Sequence, residues 1–358
     1  MGLASLDLVD FRSFRAAHFT PDPDGTTVLL APNGTGKTSL LEAVGYLGTG
    51  RSFRDAARES MIRTGAADAY VRASVRDGDR DVLIEAQLSR HGRSRVQVNR
   101  QPAKTRRDLA DAVAVTTFAP EDVAVVRGGP GGRRDVLDDA LALLDPSAGA
   151  LLEDVARVLR QRGALLRQLH GRLDDVAAST LDVWDERLAS LGDDLAERRA
   201  ALAVALEPKV GDHYRALAAD AAPVGVAYAP SWAGALDGAL ARARTDDVRR
   251  GVSTIGPHRD DVVLTIDGRE ARSQSSQGEQ RSLALAIRVA IHERVTATRG
   301  RPPLLLLDDV FSELDVGRAT RLLGLLPPGQ ALLTTAVAPP PGLQAADVVD
   351  VEGLHRGA

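Results

Sequence analysis

Four leucines run directly into two aspartates in the segment Leu304–Asp309. An unbroken apolar run of this length is typical of a strand that is covered on both faces of a parallel sheet. Open parallel sheets bind ligands beyond the carboxyl ends of their strands. Asp308 is therefore expected to hold Mg²⁺ at a nucleotide site, and Asp309 to lie beside it. The alternative is a strand that ends in an acidic turn without chemistry.

A second segment, Val28–Ala43, is typical of a strand, a glycine-rich loop and a helix, and the helix carries Leu40, Leu41, Val44 and Leu47 at helical spacing. Glycines in such a loop let backbone N–H groups point at phosphate oxygens, while Lys37 adds positive charge and Thr38 offers a hydroxyl to Mg²⁺. Ala31 stands where the phosphate-loop pattern has glycine, which matters only if that residue needs a positive φ. A purely structural turn is the alternative. The residues expected to bind the nucleotide are Asn33, Gly34, Thr35, Gly36, Lys37, Thr38 and Ser39.

A third motif, Ser275–Ile287, is a polar glycine turn followed by a helix with apolar periodicity. It is similar to the signature motif of the ABC ATPase superfamily, in which a serine hydroxyl and a helix N-terminus meet the γ-phosphate bound by a partner subunit. The segment Ser312–Asp315 likewise resembles the D-loop of that superfamily. The resemblance implies nucleotide contacts for Ser276, Gln277, Gly278 and Gln280. An ordinary serine helix cap is the alternative.

Composition excludes some other classes of protein. The chain has 358 residues, enough for about two domains, and its 44% apolar and 26% charged residues are ordinary for a globular protein. It contains no cysteine, which excludes disulfides and thiolate metal sites. We see no signal-peptide pattern and no apolar run of membrane-spanning length, so we expect a cytoplasmic protein without a membrane partner. A metal site formed by His258, Asp260 and Asp261 is not expected, because one histidine beside an arginine makes a poor metal site.

The net charge of −4 does not favour nucleic-acid binding, but the charge is unevenly distributed. The stretch Ser89–Arg107 contains six arginines and Lys104 and no acidic residue. Aromatic residues make up only 3% of the chain, so any DNA contact is expected to involve phosphates instead of stacked bases. A solvated charged hairpin is the alternative. The candidate DNA contacts are Arg93, Arg95, Arg100, Arg106 and Arg107.

Patterns along the chain predict a mainly helical insertion in an α/β domain. The first 120 residues read mostly as strands and turns. A glycine cluster at Gly128–Gly132 then precedes helical stripes, which Gly163, Gly171 and Gly192 are expected to interrupt. The predicted division is residues 1–125 as the N-terminal part of ATPase lobe I, 126–222 as helical lobe II, and 223–358 as the C-terminal part of lobe I.

Over nearly its whole length the chain resembles the RecF family, bacterial recombination mediators that are SMC-like ABC ATPases with a shortened arm. The most family-specific block is Gly256–Asp261, and the departures include Ala31 and Gly163. The pair Thr334–Thr335 is family-like, but it stands where transporter ATPases carry a switch histidine. Further matching segments are Asn33–Ala43, Gly50–Arg54, Phe118–Val123, Gly132–Asp138, Leu159–Leu166 and Val183–Leu188.

The resemblance implies a P-loop ABC-type ATPase head with a helical second lobe. It implies an ATP-dependent homodimer that sandwiches ATP and Mg²⁺ and binds gapped or junction duplex DNA. The dimer would help to load recombinase in recombinational repair and replication restart, with RecR and RecO as partners. Asp309 stands where most ABC ATPases have a catalytic glutamate, so we expect slow, DNA-stimulated ATP hydrolysis that acts as a switch.

Two other functions fit parts of the sequence. An ABC transporter energy subunit also has these three motifs, but the long helical insertion and Thr335 disfavour it. A P-loop small-molecule kinase would need an acceptor pocket and would have no signature helix. Binding to DNA separates the first alternative from the main interpretation, and nucleotide-dependent dimerisation separates the second.

Overall fold

The computed structural model describes residues 2–78, 80–219 and 222–356. Its strands are β1 (Gly2–Phe11), β2 (Phe14–Phe19), β3 (Thr26–Leu30), β4 (Asp68–Asp77), β5 (Arg80–Ser89), β6 (Arg95–Val98), β7 (Gln101–Pro102), β8 (Val115–Phe118), β9 (Val224–Ala229), β10 (Asp261–Ile266), β11 (Arg269–Glu270), β12 (Leu304–Asp308), β13 (Ala331–Thr335) and β14 (Ala345–Asp350). Its helices are α1 (Lys37–Thr49), α2 (Arg58–Met61), α3 (Arg106–Ala112), α4 (Val123–Arg127), α5 (Pro130–Leu144), α6 (Pro146–Gln168), α7 (Asp175–Ala218), α8 (Leu236–Arg250), α9 (Ala271–Gln274), α10 (Gln277–Arg299), α11 (Val316–Leu325) and α12 (Val351–Arg356).

The chain divides into two compact units. Among the described residues, unit 1 comprises 2–122, 213–219 and 284–356, and unit 2 comprises 123–212 and 222–283. The predicted C-terminal part of the ATPase lobe was 223–358, whereas residues 222–283 group with the helices in unit 2. The reason is apolar packing, since Leu236 and Leu240 of α8 share a buried cluster with Leu188 of α7.

Unit 1 contains a parallel sheet with the strand order β14-β3-β13-β12-β8. Strand β12 pairs in parallel with β13 on one side and with β8 on the other. All five of its residues are buried, as a doubly covered strand requires. The parallel sheet predicted from the leucine run is therefore present, and it ends in Asp308.

The antiparallel sheet of unit 1 has the order β2-β1-β4-β5-β6-β7. Its buried face and helix α1 contribute to one apolar core. Helix α1 follows the phosphate loop and supplies Leu40, Leu41, Val44 and Leu47, each at most 1% exposed. The helical spacing of these residues was visible in the sequence, and their burial fixes the start of α1 against the core.

Unit 2 contains the long helix α6, most of the long helix α7 and the small sheet β11-β10-β9. The prediction that three glycines interrupt the helices was wrong for two of them, because Gly163 lies within α6 and Gly192 within α7. Gly171 does lie between the helices, with φ +80°. A Cβ atom at Gly192 would lie 2.4 Å from Leu236 Cδ2, so this glycine permits close packing instead of ending the helix.

Several buried charged side chains of unit 2 have partners inside the unit. Arg162 is fully buried and contacts Asp185 at 2.6 Å and Asp247 at 2.7 Å. Asp261 accepts a bidentate contact from Arg133, at 2.7 and 3.0 Å. Asp260 accepts hydrogen bonds from the Tyr228 hydroxyl and the Ser231 amide. These aspartates therefore have protein partners.

None of the helices in the described part of the chain is long and apolar enough to cross a membrane.

Candidate nucleotide-binding site

The phosphate loop joins the end of β3 to the start of α1. Gly34 and Gly36 have φ values of +85° and +103°, in the region that favours glycine. At Gly36 space is also restricted, because a Cβ atom would lie 2.7 Å from Ser13 Oγ and 2.9 Å from the Phe14 ring. Ala31 does not have a positive φ, so alanine fits the first position of the motif without backbone strain.

The Lys37 ammonium lies inside this loop. Its Nζ donates to the carbonyl oxygens of Ala31 at 2.6 Å and Pro32 at 2.9 Å, and to Asn33 Oδ1 at 3.3 Å. Burial lowers the pKa of Lys37, and the nearby charges of Asp309 and Asp308 oppose that shift. The ammonium contacts only neutral acceptors in the loop, so a phosphate oxygen could replace one of them as a stronger, charged partner.

Thr38 and Asp308 meet although 270 residues separate them. Thr38 Oγ1 donates to Asp308 Oδ1 at 2.8 Å, and Thr334 Oγ1 donates to the same oxygen at 2.8 Å. Burial raises the pKa of the Asp308 carboxyl, while these two hydrogen bonds lower it. A hydroxyl and a carboxylate are hard oxygen ligands of the kind that Mg²⁺ takes, so this pair fits the predicted metal site.

Asp309 is held next to this pair by its backbone. Its amide donates to Thr334 Oγ1 at 2.8 Å, and its φ of 49° lies in the left-handed region. Among the described residues, no group makes a hydrogen bond to the buried Asp309 Oδ1. The strained backbone and the unused oxygen are consistent with a carboxylate that is positioned for a ligand or a water molecule.

A cavity of about 470 Å³ opens onto the loop in unit 1. Its lining includes two arginines, Arg12 and Arg54, for which the sequence motifs predict no role. Arg12 makes a bidentate contact with the fully buried Glu42 of α1, at 2.6 Å for each oxygen. The sequence signal for this pair was an acidic residue in the apolar run that follows the loop, since a buried carboxylate needs a cation. The lining residues are Arg12, Ser13, Asn33, Gly34, Gly36, Lys37, Thr38, Ser39, Arg54, Ser60, Ile62, Thr64 and Asp309.

The signature turn belongs to unit 2. Ser276 Oγ accepts a hydrogen bond from the Glu279 amide at 3.3 Å, and the Ser276 amide donates to Glu279 Oε2 at 2.7 Å. This reciprocal arrangement is a capping box at the start of α10. Gln280 is buried, and its Nε2 donates to the carbonyl oxygens of Ala271 and Arg272. Ser276 and Gln277 are exposed, whereas Gln280 supports the turn from inside.

Comparison with known proteins gives the family. The model of the RecF/RecN/SMC N-terminal domain matches residues 2–334. A DNA replication and repair protein RecF from Frankia alni is 43% identical, in an alignment that covers 94% of this chain and 93% of that relative. This chain belongs to the RecF family. The family resemblance stated from the sequence motifs is therefore confirmed.

Solved structures agree with the RecF assignment. A structure of the recombination mediator protein RecF-ATP in the RecFOR pathway is 27% identical, with a TM-score of 0.87 over 94% of this chain and 92% of that one. An Smc head bound to the C-winged helix domain of ScpA is 15% identical, with a TM-score of 0.54 over 94% and 90% of the two chains, and shows the fold alone. The predicted α/β, P-loop ABC-type ATPase head with an inserted mainly helical part is confirmed.

The candidate DNA-binding arginines of this RecF-family chain lie at one edge of the antiparallel sheet. Arg95 begins β6, Arg93 precedes it, and Arg100 lies in the turn between β6 and β7, with φ 65°. All three are exposed. Arg106 and Arg107 begin α3, and Arg107 lies 3.3 Å from Asp111. The arrangement is an exposed basic edge, which we define by Arg93, Arg95 and Arg100.

Proposed function

We propose that this chain binds ATP with Mg²⁺ and acts as an ATP-dependent DNA-binding protein in recombinational repair and replication restart. The observation that carries the proposal is the contact between Thr38 and Asp308 beside the buried Lys37 ammonium. It joins the phosphate loop to the carboxylate at the end of β12, which would hold the metal. The RecF relatives, one of them solved with ATP, support the same reading.

In this proposal the residues of the nucleotide site have separate roles in binding phosphate, binding metal and orienting water. The backbone N–H groups around Gly34 and Gly36 donate to phosphate oxygens, and Lys37 exchanges its loop acceptors for a terminal phosphate. Thr38 and Asp308 would hold the metal, and Mg²⁺ when bound supplies positive charge to the phosphates. Asp309 orients the attacking water. Its side chain is one methylene shorter than glutamate, which we expect to make hydrolysis slow and suited to a timer.

The proposed switch is an ATP-dependent homodimer. Two heads would sandwich ATP, and each would supply its exposed Ser276 and Gln277 to the nucleotide bound by the other. A turn that contacts the γ-phosphate distinguishes ATP from ADP, so hydrolysis removes the affinity on which the dimer depends. Every 1.4 kcal/mol or so of that difference changes the dimer population about tenfold. The capping box supports this role, because it leaves the N-terminus of α10 ordered and exposed.

On DNA, the dimer would act at gapped or junction duplexes in the cytoplasm and help to load recombinase. RecO and RecR would be its partners, as the RecFOR pathway named for the solved RecF structure suggests. The exposed basic edge supports a phosphate contact that does not depend on sequence. DNA that holds the ATP dimer would also stimulate its weak ATPase.

The proposed function is tested by measuring the mass of the protein in solution by light scattering. We expect a monomer without nucleotide, a dimer with a non-hydrolysable ATP analogue, and a larger complex when a gapped duplex is added. A dimer that ignores the gapped duplex would contradict the DNA role and would favour a transporter-type subunit. A monomer that persists with the analogue would contradict the switch and would favour a P-loop kinase.

The basic edge gives a separate prediction about DNA affinity. Replacing Arg93, Arg95 and Arg100 with alanine is expected to weaken binding to duplexes of any sequence, because phosphate contacts carry no sequence information. Each lost contact should reduce the slope of log affinity against log salt by about 0.9, so the triple variant should lose up to about 3. Fluorescence anisotropy at several salt concentrations measures both effects. ATP affinity should not change.

A variant with the same charge change elsewhere serves as the control. Arg242, Arg249 and Arg250 are exposed residues of α8, and their replacement with alanine removes as much charge from unit 2. We expect this control to bind DNA with nearly the wild-type salt slope. Equal slopes for both triple variants would show that the basic edge is only a solvated surface.

A further inference from the structure

The last described strand and helix run beside the phosphate loop. Strand β14 pairs in parallel with β3, and Asp350 lies opposite Leu30 in the register. Two paired parallel strands leave a sheet at the same edge. Strand β3 continues into the phosphate loop, whereas β14 continues into the short helix α12. Helix α12 therefore begins next to the loop.

Helix α12 is fixed by its apolar face. Val351 is fully buried in the core of unit 1, and Leu354 packs against the same core. Asp350 Oδ1 accepts a hydrogen bond from the Glu352 amide at 3.0 Å, which orders the first turn. His355 follows Val351 by four residues, so both side chains lie on the same side of the helix. The burial of Val351 thus directs His355 towards the sheet edge.

His355 makes two contacts there. Its ring stacks on Phe14 with a centroid distance of 4.2 Å and an interplanar angle of 7°. Its Nε2 lies 2.7 Å from the carbonyl oxygen of Thr35, a residue of the phosphate loop. A carbonyl oxygen only accepts, so Nε2 carries the proton and donates it to this bond. The contact therefore defines the protonated nitrogen of the ring.

The Thr35 carbonyl shares a peptide unit with the Gly36 amide. A trans peptide is planar, and its C=O and N–H point in opposite directions. A donor that holds the carbonyl on the α12 side therefore directs the Gly36 N–H to the opposite side, towards the cavity that Gly36 lines. Glycine does little to fix this plane by itself, since Gly36 has φ +103° and no side chain.

Phe14 lies between the phosphate loop and the His355 ring and contacts both. A Cβ atom at Gly36 would lie 2.9 Å from the Phe14 ring, so the ring packs directly on the loop. Phe14 itself is fully buried. The aromatic ring thus contacts the loop backbone and the His355 ring. The loop receives a packing contact from Phe14 and a hydrogen bond from His355, and both act on the peptide between Thr35 and Gly36.

We propose that His355 is a positioning residue of the nucleotide site, which holds the Thr35–Gly36 peptide so that the Gly36 amide is ready for a phosphate oxygen of the nucleotide. The proposal rests on the proposed ATP site. His355 touches no nucleotide in it and acts through the loop alone. A loop that is oriented before binding loses less entropy when the nucleotide arrives.

Three variants separate the hydrogen bond from the stacking. His355→Phe keeps a ring for Phe14 but removes the donor, and we expect ATP and ADP to bind about three- to tenfold more weakly, as loss of one hydrogen bond predicts. His355→Gln keeps an amide donor near the position of Nε2 and should recover most of the affinity. His355→Ala removes both contacts and should be at least as weak as His355→Phe. The affected amide would contact a phosphate that ATP and ADP share. A contact of equal strength in bound ATP and in the transition state changes KM alone, so KM should rise while kcat stays nearly constant.

The control is His18→Ala, which removes an exposed histidine that contacts Asp7 and Thr20 on β1 and after β2. Nucleotide dissociation constants are measured by isothermal titration, and melting without nucleotide confirms that each variant is folded. Wild-type affinity in folded His355→Phe would overturn the proposal. Equal weakening in His355→Phe and His355→Gln would also overturn it, since the donor would then be irrelevant. If wild type and His18→Ala themselves fail to bind ATP, the proposed function fails, and the positioning role fails with it.

Discussion

Replacing Lys37 with methionine is expected to reduce ATP hydrolysis by about 10²- to 10³-fold, the usual effect of removing one charged donor from a phosphate site. Lys37 is 6% exposed, and its ammonium donates to three acceptors of the loop. Methionine fills a similar volume but has no charge for the phosphates. Steady-state phosphate release measures the rate, and titration with ATP in EDTA measures the loss of affinity that does not depend on metal.

Asp308→Asn should stop hydrolysis for a different reason. Asparagine can still accept the hydrogen bonds from Thr38 and Thr334, so the fold should persist, but the charge that attracts Mg²⁺ is lost. We expect nearly wild-type ATP affinity in EDTA and little gain on adding Mg²⁺. A variant that gains as much affinity from Mg²⁺ as the wild type would contradict the metal-binding role of Asp308.

Asp309→Asn is the third variant of the nucleotide site. It should bind ATP and Mg²⁺ and keep the dimer for longer, because only the orientation of water is impaired. Hydrolysis at the wild-type rate would show that the base has been misassigned. Lys37, Asp308 and Asp309 therefore give three different combinations of binding and turnover, which a general loss of stability would not reproduce.

The second large effect is expected at the signature turn. Ser276→Arg should abolish the ATP-dependent dimer, raising its dissociation constant by at least about 100-fold, or roughly 2.7 kcal/mol. Ser276 is exposed at the start of α10, so an arginine there would place a bulky cation at the mouth of the partner's site. ATP binding by the monomer should be intact. Light scattering with a non-hydrolysable analogue measures the dimer, and titration measures the nucleotide affinity.

Ser190→Arg is the matched control, because Ser190 is an exposed residue of α7 in the same unit. It should dimerise like the wild type. Ser276→Arg also removes the serine cap, at a cost of about 1 kcal/mol, and melting curves of both variants measure that effect. If the Ser276→Arg monomer loses nucleotide affinity, the signature acts within its own chain and the composite site is wrong.

Local patterns were enough to predict several elements of the fold. The leucine run ending at Asp308 gave a buried parallel strand, and the spacing of Leu40, Leu41 and Val44 gave the buried face of α1. These patterns involve only residues that are close in sequence, so they can be recognised without knowing where the rest of the chain packs. The basic edge formed by Arg93, Arg95 and Arg100 is exposed, whereas its contact with DNA stays a prediction.

Contacts between residues that are far apart in sequence could not be predicted from local patterns. Thr334 was noted only because it stands near the place of a switch histidine, yet its hydroxyl joins Asp308 and the Asp309 amide. Arg12 pairs with Glu42, which lies 30 residues further along the chain, and no local period connects them. The role of Gly192 was misread for the same reason. A glycine is found at position 192 within the helix because Leu236 occupies the space that a Cβ atom would need. Leu236 is distant in sequence, so no local pattern indicates this contact.

The contact between Thr38 and Asp308 also has a consequence for the order of events during synthesis. At about 5–20 residues per second, a ribosome needs roughly 15 to 50 s to proceed from one residue to the other. Throughout that time strand β3 lacks its sheet partner β13, which follows Asp308 in the chain, and the apolar residues of β3 and α1 are without the neighbours that β12 and β13 supply. The nascent chain is therefore most exposed to aggregation in this interval, and chaperone binding should be concentrated there.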